Sequence, residues 1–230
     1  MHKFQYLIRD SANRQPEAFR AMVFDDIIPR ILALEPAGLK VSITDLPRPR
    51  LTVLPLRKNN LALISLWSES ANAADDWIRN LPTGLVIHGY AIDESTPVAY
   101  EKDWPDGQTS PGVVLLTLLS QNPKLSYDEF MHEWHGRHTP KAIRIHPFWN
   151  YIRNVIKAPA VPGSPEFQGI VEEHFRSRAD CTNPVRMFGG PLRFIPHMIE
   201  VGLHAKHFLD LKHTENYLLS ETFIRSVGAR

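Results

Sequence analysis

The chain has 230 residues, of which 43% are hydrophobic and 22% are charged, as is typical of a globular protein with one large domain or two small ones. The 26 basic and 25 acidic residues nearly cancel and form no basic stripe, so nucleic acid is not an expected partner. The sequence shows no apolar run as long as a membrane span and no signal-peptide pattern, so we expect a cytoplasmic protein that does not bind membranes.

In the first half of the chain, apolar periodicity predicts alternating strands and helices. A strand over 3–9 precedes a helix over 15–34, strands over 39–46 and 60–67, helical residues over 71–80 and a strand over 85–93. A segment rich in Pro, Gly, Asp and Ser then predicts an exposed linker over 103–112.

The second half repeats this plan. It has a strand over 113–120, a helix over 126–143, strands over 148–156 and 168–175, helices over 182–189 and 192–207, and a strand over 214–221. The loop over 157–166 is too rich in proline for regular structure.

A shift of 111 residues places Phe19 on Phe130, Pro29 on Pro140 and Pro36 on Pro147, which indicates an internal duplication. We therefore predict an α+β fold in which residues 1–102 and 113–230 are two ferredoxin-like β-α-β-β-α-β units. The two sheets would face each other and close into a pseudo-dimeric α/β barrel. The protein would be a monomer, or a homodimer if strand edges stay open.

The helix over 126–143 contains the segment HEWHGRHTP, with three histidines before Pro140. His138 falls on the same helical stripe as Trp134. Pro140 favours a helix end at Thr139, although the helix could continue through Ala142 and Ile143 after a kink. At a helix end the dipole stabilises a positive charge, whereas burial beside Trp134 favours a neutral imidazole. These opposing effects predict a pKa near neutrality, which suits a proton-transfer group.

The duplication provides an internal comparison for these side chains. Trp134, His135 and His138 align with Val23, Phe24 and Ile27, so the first half keeps the apolar stripe without an imidazole. The second half is therefore the predicted site, and the first half the predicted scaffold.

A metal site is not expected in this helix. His135 and His138 are three residues apart, whereas a helical zinc pair has a spacing of four. Nothing in the sequence selects a haem ligand, and no phosphate-binding glycine motif appears. The sequence therefore predicts no metal and no cofactor.

The strands of the second half offer further polar side chains. Glu172 and His174 share one face of their strand, and Glu173 lies on the other. A Glu172–His174 pair on an inward face would be costly without a partner, so an edge or solvent-facing position is favoured. In the preceding strand Tyr151, with Arg153, or Asn150, with Asn154, could line a pocket.

The segment over 115–156 resembles EthD-type members of the dimeric α/β-barrel superfamily. The resemblance rests on Leu125-Ser126, Phe130, the W-x-x-x-H-x-P motif over 134–140 and the later HFLDL stretch over 207–211. It implies a ferredoxin-like barrel in an oxidative, catabolic or secondary-metabolic context, and it fixes the fold better than the reaction.

Two functions remain open, beside a third possibility, a degenerate subunit with a purely structural role. The first is a cofactor-independent enzyme that dehydrates, isomerises or oxidises a hydrophobic carbonyl or aromatic polyketide-type metabolite by acid–base chemistry. His138 would be catalytic, and the substrate-binding residues would be Trp134, His135, Tyr151 and His174. The second is a non-catalytic accessory protein that binds such a molecule for an oxidase.

Overall fold

The structure is a computed structural model that describes residues 1–47, 49, 52–70, 75–78 and 81–228. Eight strands account for its sheet: β1 His2–Asp10, β2 Gly38–Ile43, β3 Leu61–Ser68, β4 Leu85–Val98, β5 Val113–Leu119, β6 Asn150–Pro159, β7 Gly169–Phe175 and β8 Glu215–Arg225. They pair as one closed antiparallel barrel in the order β1-β3-β2-β8-β5-β7-β6-β4. The predicted α/β barrel is therefore confirmed.

The helices pack on the outside of the barrel. They are α1 Pro16–Met22, α2 Ile28–Leu32, α3 Asp75–Ile78, α4 Tyr127–Met131, α5 Thr139–Ile145, α6 Arg178–Thr182, α7 Pro184–Met187 and α8 Phe194–Phe208. Part of the helix predicted over 71–80 lies outside the described residues, and α3 is its described part. None of the described helices has both the length and the apolar character needed to cross a membrane.

Successive side chains of β1 point alternately to the outside and the inside of the barrel. Phe4, Tyr6 and Ile8 face outward and pack with the first helix layer. Leu7 faces inward and packs with apolar residues from five other strands, including Leu116 and Leu219. The sheet therefore separates an inner core from three outer, helix-covered clusters, one in the first half and two in the second.

The helix that carries the histidine motif continues past Pro140, in agreement with the predicted range 126–143, and does not end at Thr139. It runs from α4 through a π-helical turn, His132–His138, into α5, which ends at Ile145. Proline lacks an N–H and crowds the carbonyl four residues earlier, and the wider π turn accommodates both effects. A π turn also precedes Pro29 in the first half.

The loop predicted over 157–166 is shorter than expected, because β6 continues to Pro159. A strand tolerates this proline at its end, where its missing N–H costs no ladder bond.

The prediction that Glu172 and His174 face solvent or a sheet edge is wrong. Both side chains lie inside the barrel and are buried. Lys40 on β2 offsets the cost of burying the carboxylates inside the barrel. Its Nζ lies 2.7 Å from Glu172 Oε2 and 2.9 Å from Glu221 Oε2. His174 Nε2 lies 2.7 Å from the same Glu221 oxygen.

Further polar side chains complete this interior network. Gln5 Nε2 donates to Glu172 Oε1 at 2.9 Å, and Lys3 Nζ donates to Asn154 Oδ1 at 2.7 Å. Tyr100 donates its hydroxyl to Glu221 Oε1 at 3.0 Å. The charged groups come from both halves of the chain, so the network ties the halves together across the barrel.

Candidate active site

A cavity of about 350 Å³ lies between the outer face of the sheet in the second half and its helices. Leu115, Val171 and Tyr151 form its floor on the sheet side. Trp134, His138, His146 and the α8 residues Met198 and Val201 contribute from the helices. The volume is within the range of small-molecule sites, and most of the wall is apolar.

The first half also contributes to this cavity. Val53, Leu54 and Pro55, from the connection between β2 and β3, lie on its wall. The first half is therefore more than a scaffold, because it closes one side of the cavity in the second half.

His138 is the first of three hydrogen-bonded groups that lead away from the cavity. Its Nδ1 lies 3.1 Å from Nδ1 of His204 on α8, and His204 Nε2 lies 2.9 Å from Oε2 of Glu133. The two imidazole rings are nearly parallel, with centroids 5.3 Å apart. Glu133 also pairs with Arg137, one helical turn along.

These contacts determine the proton positions. A carboxylate only accepts, so His204 donates from Nε2 to Glu133. When His204 is neutral, its Nδ1 is an acceptor and His138 donates from Nδ1. The Nε2 atom of His138 then keeps its lone pair, and in the described part of the chain it makes no hydrogen bond.

Burial sets the charge of His138. Desolvation lowers its pKa to about 3, and nearby His204 and His146 act in the same direction. The predicted pKa near neutrality is wrong for this conformation, because the helix continues past Pro140 and its terminal carbonyls do not lie beside His138. His138 is a neutral imidazole at pH 7.

His146, at the end of α5, presents a second neutral imidazole to the cavity. Its Nδ1 lies 2.9 Å from the carbonyl oxygen of Met187 and donates to it, which leaves Nε2 as the acceptor. Desolvation lowers the pKa of His146 to about 4.

Glu173 is the one acidic residue among those that line the cavity. It lies on the outer face of β7, next to Leu115 on β5 and Tyr151 on β6. Desolvation raises its pKa to about 8, because in the described part of the chain no cation or donor contacts the carboxyl group. At pH 7 most of this side chain is a neutral carboxylic acid.

Trp134 and Tyr151 form rigid walls. Trp134 is 1% exposed and packs against Gly169, where a Cβ would overlap the indole ring. Tyr151 is 1% exposed and stacks on Phe148, with centroids 4.9 Å apart. Burial raises the pKa of Tyr151, so its hydroxyl stays protonated.

The other two residues predicted to bind substrate lie elsewhere. His135 packs on the edge of Trp134, with centroids 4.5 Å apart, and its buried Nε2 has no partner among the described residues. His174 lies inside the barrel, on the opposite side of the sheet from the cavity. The structure thus brings together Trp134, His138 and Tyr151, but not His135 or His174.

Among the described residues, one group of side chains has the spacing of metal ligands: Glu172, His174 and Glu221. Lys40 already supplies a cation between the two carboxylates. We therefore interpret this cluster as a buried ion network.

Glu133, His146, Glu173 and His204 were not predicted from the sequence. Glu173 had a signal, since a carboxylate between Val171 and Phe175 on a helix-covered strand face is unusual. The pairing of His138 with His204 had none, because 66 residues separate them and only the packing of α8 on the π turn brings them together.

Residues 122–187 match the family model described as the EthD domain. The matched segment includes His138, His146, Tyr151 and Glu173, whereas His204 follows it. This match confirms the resemblance predicted from the sequence. No curated protein matches the chain.

Three solved structures share the fold. An anthrone oxidase-like protein has a TM-score of 0.60 at 11% identity, covering 99% of this chain and 94% of its own. A monooxygenase-like protein from Lactobacillus acidophilus NCFM has a TM-score of 0.50 at 10% identity, covering 97% and 95%. A second, from Fusobacterium nucleatum, has a TM-score of 0.51 at 8% identity, covering 97% and 93%.

At these identities the similarity establishes the fold alone. The chain therefore shares with these structures a fold that, in its described residues, is a closed eight-stranded antiparallel barrel with helices outside, and its residues 122–187 match the EthD domain.

Proposed function

We propose that this protein is an enzyme that transfers protons on a hydrophobic, carbonyl-bearing or aromatic small molecule without a cofactor. The observation that carries the proposal is the Glu133–His204–His138 chain, which ends at His138, an imidazole that lines an apolar cavity. Trp134 and Tyr151 are the proposed substrate-binding walls. His135 and His174 are not retained as binding residues because neither lines the cavity.

The hydrogen-bonded chain explains how a buried imidazole acts as a base. When His138 Nε2 takes a proton, its Nδ1 proton moves to His204 Nδ1, 3.1 Å away. The positive charge then lies on His204, beside the Glu133 carboxylate at 2.9 Å. A charge paired in this way costs far less than an isolated imidazolium in an apolar cavity.

We also propose that the chain is a tandem duplication, with residues 1–102 and 113–230 as ferredoxin-like units joined by the linker over 103–112. The strand order supports this proposal, since β4-β1-β3-β2 in one half corresponds to β8-β5-β7-β6 in the other. Closure of the barrel within one chain favours a monomeric pseudo-dimer over a homodimer that would complete the sheet.

A ketone with exchangeable α-hydrogens tests the acid–base function directly. We expect the protein to accelerate deuterium uptake from D₂O into the α-position of 1-tetralone, and His138→Gln to abolish the acceleration. His132→Gln is the matched control, because His132 is exposed on the same helical segment; this variant should keep full activity.

The outcomes separate the proposed functions. Binding of 1-tetralone without exchange would contradict the enzyme and support an accessory binding protein. Exchange that survives His138→Gln would overturn the role of His138. Neither binding nor exchange would contradict both functions.

A further inference from the structure

Glu173 is a half-buried titratable group that the Glu133–His204–His138 chain does not use. It lies on the cavity floor among apolar neighbours, where Leu115 and Val171 are buried and Tyr151 stacks on Phe148. The titratable groups that share the cavity wall are His138, His146 and Tyr151, and the Cys181 thiol lies near Glu173 as well. No lysine or arginine occurs among the described residues that line the cavity.

An isolated carboxyl group in such a wall is costly unless a ligand satisfies it. Glu173 is half-buried, so part of its carboxyl group is removed from water, and this is unfavourable without a hydrogen bond. The protein itself provides no partner for Glu173 in its described part. The bound molecule is therefore expected to present a hydrogen-bonding atom at this point of the cavity.

We infer that Glu173 is the acid partner of His138, a protonated carboxyl group that donates a hydrogen bond to the carbonyl oxygen of an enolisable ketone. This inference rests on the proposed function and specifies its substrate class. The pKa of about 8 agrees with it, because the carboxyl group keeps its proton at neutral pH.

The two groups divide the reaction between them. His138 Nε2 takes the α-proton as the C–H bond breaks, and the electron pair of that bond moves through the new C=C bond to the carbonyl oxygen. Glu173 donates its hydrogen bond to this oxygen, where negative charge develops, and so stabilises the enolate. His138 then returns the proton, either to another carbon in an isomerisation or to a departing β-hydroxyl group, which leaves as water.

No oxidant or reductant enters this sequence, since every proton and electron pair stays with the substrate, His138 or the released water. A carboxylate that bound an amine would instead need to be ionised. Comparing a ketone with an amine of the same carbon skeleton therefore shows whether Glu173 acts as a protonated donor or as an ionised carboxylate.

Three compounds with one skeleton test the inference: 1-tetralone, tetralin and 1-aminotetralin. We expect wild-type protein to bind 1-tetralone about tenfold more tightly than tetralin, as one hydrogen bond in a dry site would give. Glu173→Leu should bind the two equally. Glu173→Gln, whose amide still donates, should keep most of the preference for the ketone.

Glu166→Gln is the matched control, because Glu166 is an exposed carboxylate in the same part of the chain; it should bind all three compounds as the wild type does. Infrared difference spectra between wild type and Glu173→Gln provide a readout that needs no ligand. A protonated-carboxyl band should be present at pH 6 and should disappear as the pH rises through about 8.

Two results would overturn the inference: a preference for 1-tetralone that survives Glu173→Leu, or tighter binding of 1-aminotetralin than of 1-tetralone. Absence of the protonated band at pH 6 would also contradict it. These outcomes would not contradict the role proposed for His138. Failure of wild-type protein to bind 1-tetralone at all would contradict the proposed function as well.

Discussion

Glu172 and Glu173 are neighbours on β7, yet the sheet places them in opposite environments. Glu172 faces the barrel interior, where Lys40, Gln5 and Asn154 contact its carboxylate. Glu173 faces the helix-side cavity and has no such contact in the described part of the chain. Desolvation raises the pKa of both, but the charges of Lys40 and Lys3 outweigh it at Glu172 and lower the pKa there.

The difference shows that burial alone does not decide the charge of a carboxyl group. The barrel interior supplies its own counter-charges, so its acids stay ionised and serve the structure. The cavity supplies none, so its acid stays neutral and remains free for a ligand. A polar group that the fold already satisfies is a poor candidate for catalysis, whereas one that the fold leaves unsatisfied in a cavity is a good candidate.

Of the substitutions considered, replacing Lys40 should lower the free energy of unfolding most. Lys40→Met leaves Glu172 and Glu221 buried without their shared cation, and breaking one partner of a buried pair costs about 3–5 kcal/mol. Urea unfolding would measure the loss. Lys124→Met, at an exposed lysine, should change the free energy of unfolding by less than about 0.5 kcal/mol. Equal effects of the two variants would contradict the role of Lys40 in the network.

Gly169→Ala should destabilise the cavity wall by about 1–3 kcal/mol, because the added Cβ overlaps the ring of Trp134. Gly202→Ala provides a control of opposite sign. Its Cβ would meet no atom within 4 Å, and alanine stabilises a helix interior by roughly 0.5–1 kcal/mol relative to glycine. Thermal unfolding of both variants is the measurement; a neutral Gly169→Ala would mean that Trp134 does not lie against this backbone.

The pH dependence of the stability of Glu173→Gln tests whether Glu173, unlike Glu172, is neutral in the folded protein. The folded protein retains the Glu173 proton up to about pH 8, while the unfolded chain releases it near the ordinary value of 4.5. The folded state binds more protons in that window, so Glu173 makes the wild type less stable as the pH rises. The stability of Glu173→Gln relative to wild type should therefore grow from pH 4.5 to 8 and then level off. A flat difference across that range would show that Glu173 is ionised in the folded protein.

Glu133→Gln should have the smallest effect on stability, about 0.5–1.5 kcal/mol, since an amide oxygen still accepts from His204. Desolvation raises the pKa of Glu133, but the hydrogen bond from His204 and the charge of Arg137 lower it overall, so the native group is a carboxylate. The same hydrogen-bonded chain predicts the tautomer of His138 in the wild type. Nitrogen-15 NMR of the histidines should show His138 protonated at Nδ1. Protonation of His138 at Nε2 would contradict the proton positions on which the base depends.

The barrel could be predicted because its strands and helices follow local rules of periodicity, capping and turn composition. For example, Ser126 and Glu129 form a capping box at the start of α4, a pattern that is local in sequence. The π turn that carries this helix past Pro140 could not be predicted, because it depends on how the helix packs on the sheet.

The site was only partly predictable for a related reason. Trp134 and His138 share a helical stripe, so local spacing places them together, and alternation correctly separated Glu172 from Glu173. Which face of β7 pointed into the barrel depended on pairing between both halves of the chain. His204 reaches His138 through tertiary packing that no local pattern encodes.

The most direct test of the central claim is a crystal structure of the protein soaked with 1-tetralone. The account predicts that the ring system fills the cavity beside Trp134 and Tyr151. Its carbonyl oxygen should lie within hydrogen-bond distance of Glu173, about 2.6–3.2 Å, and its α-carbon should face His138 Nε2. A ligand bound away from this cavity, or a cavity that stays without ligand at saturating concentration, would contradict the account.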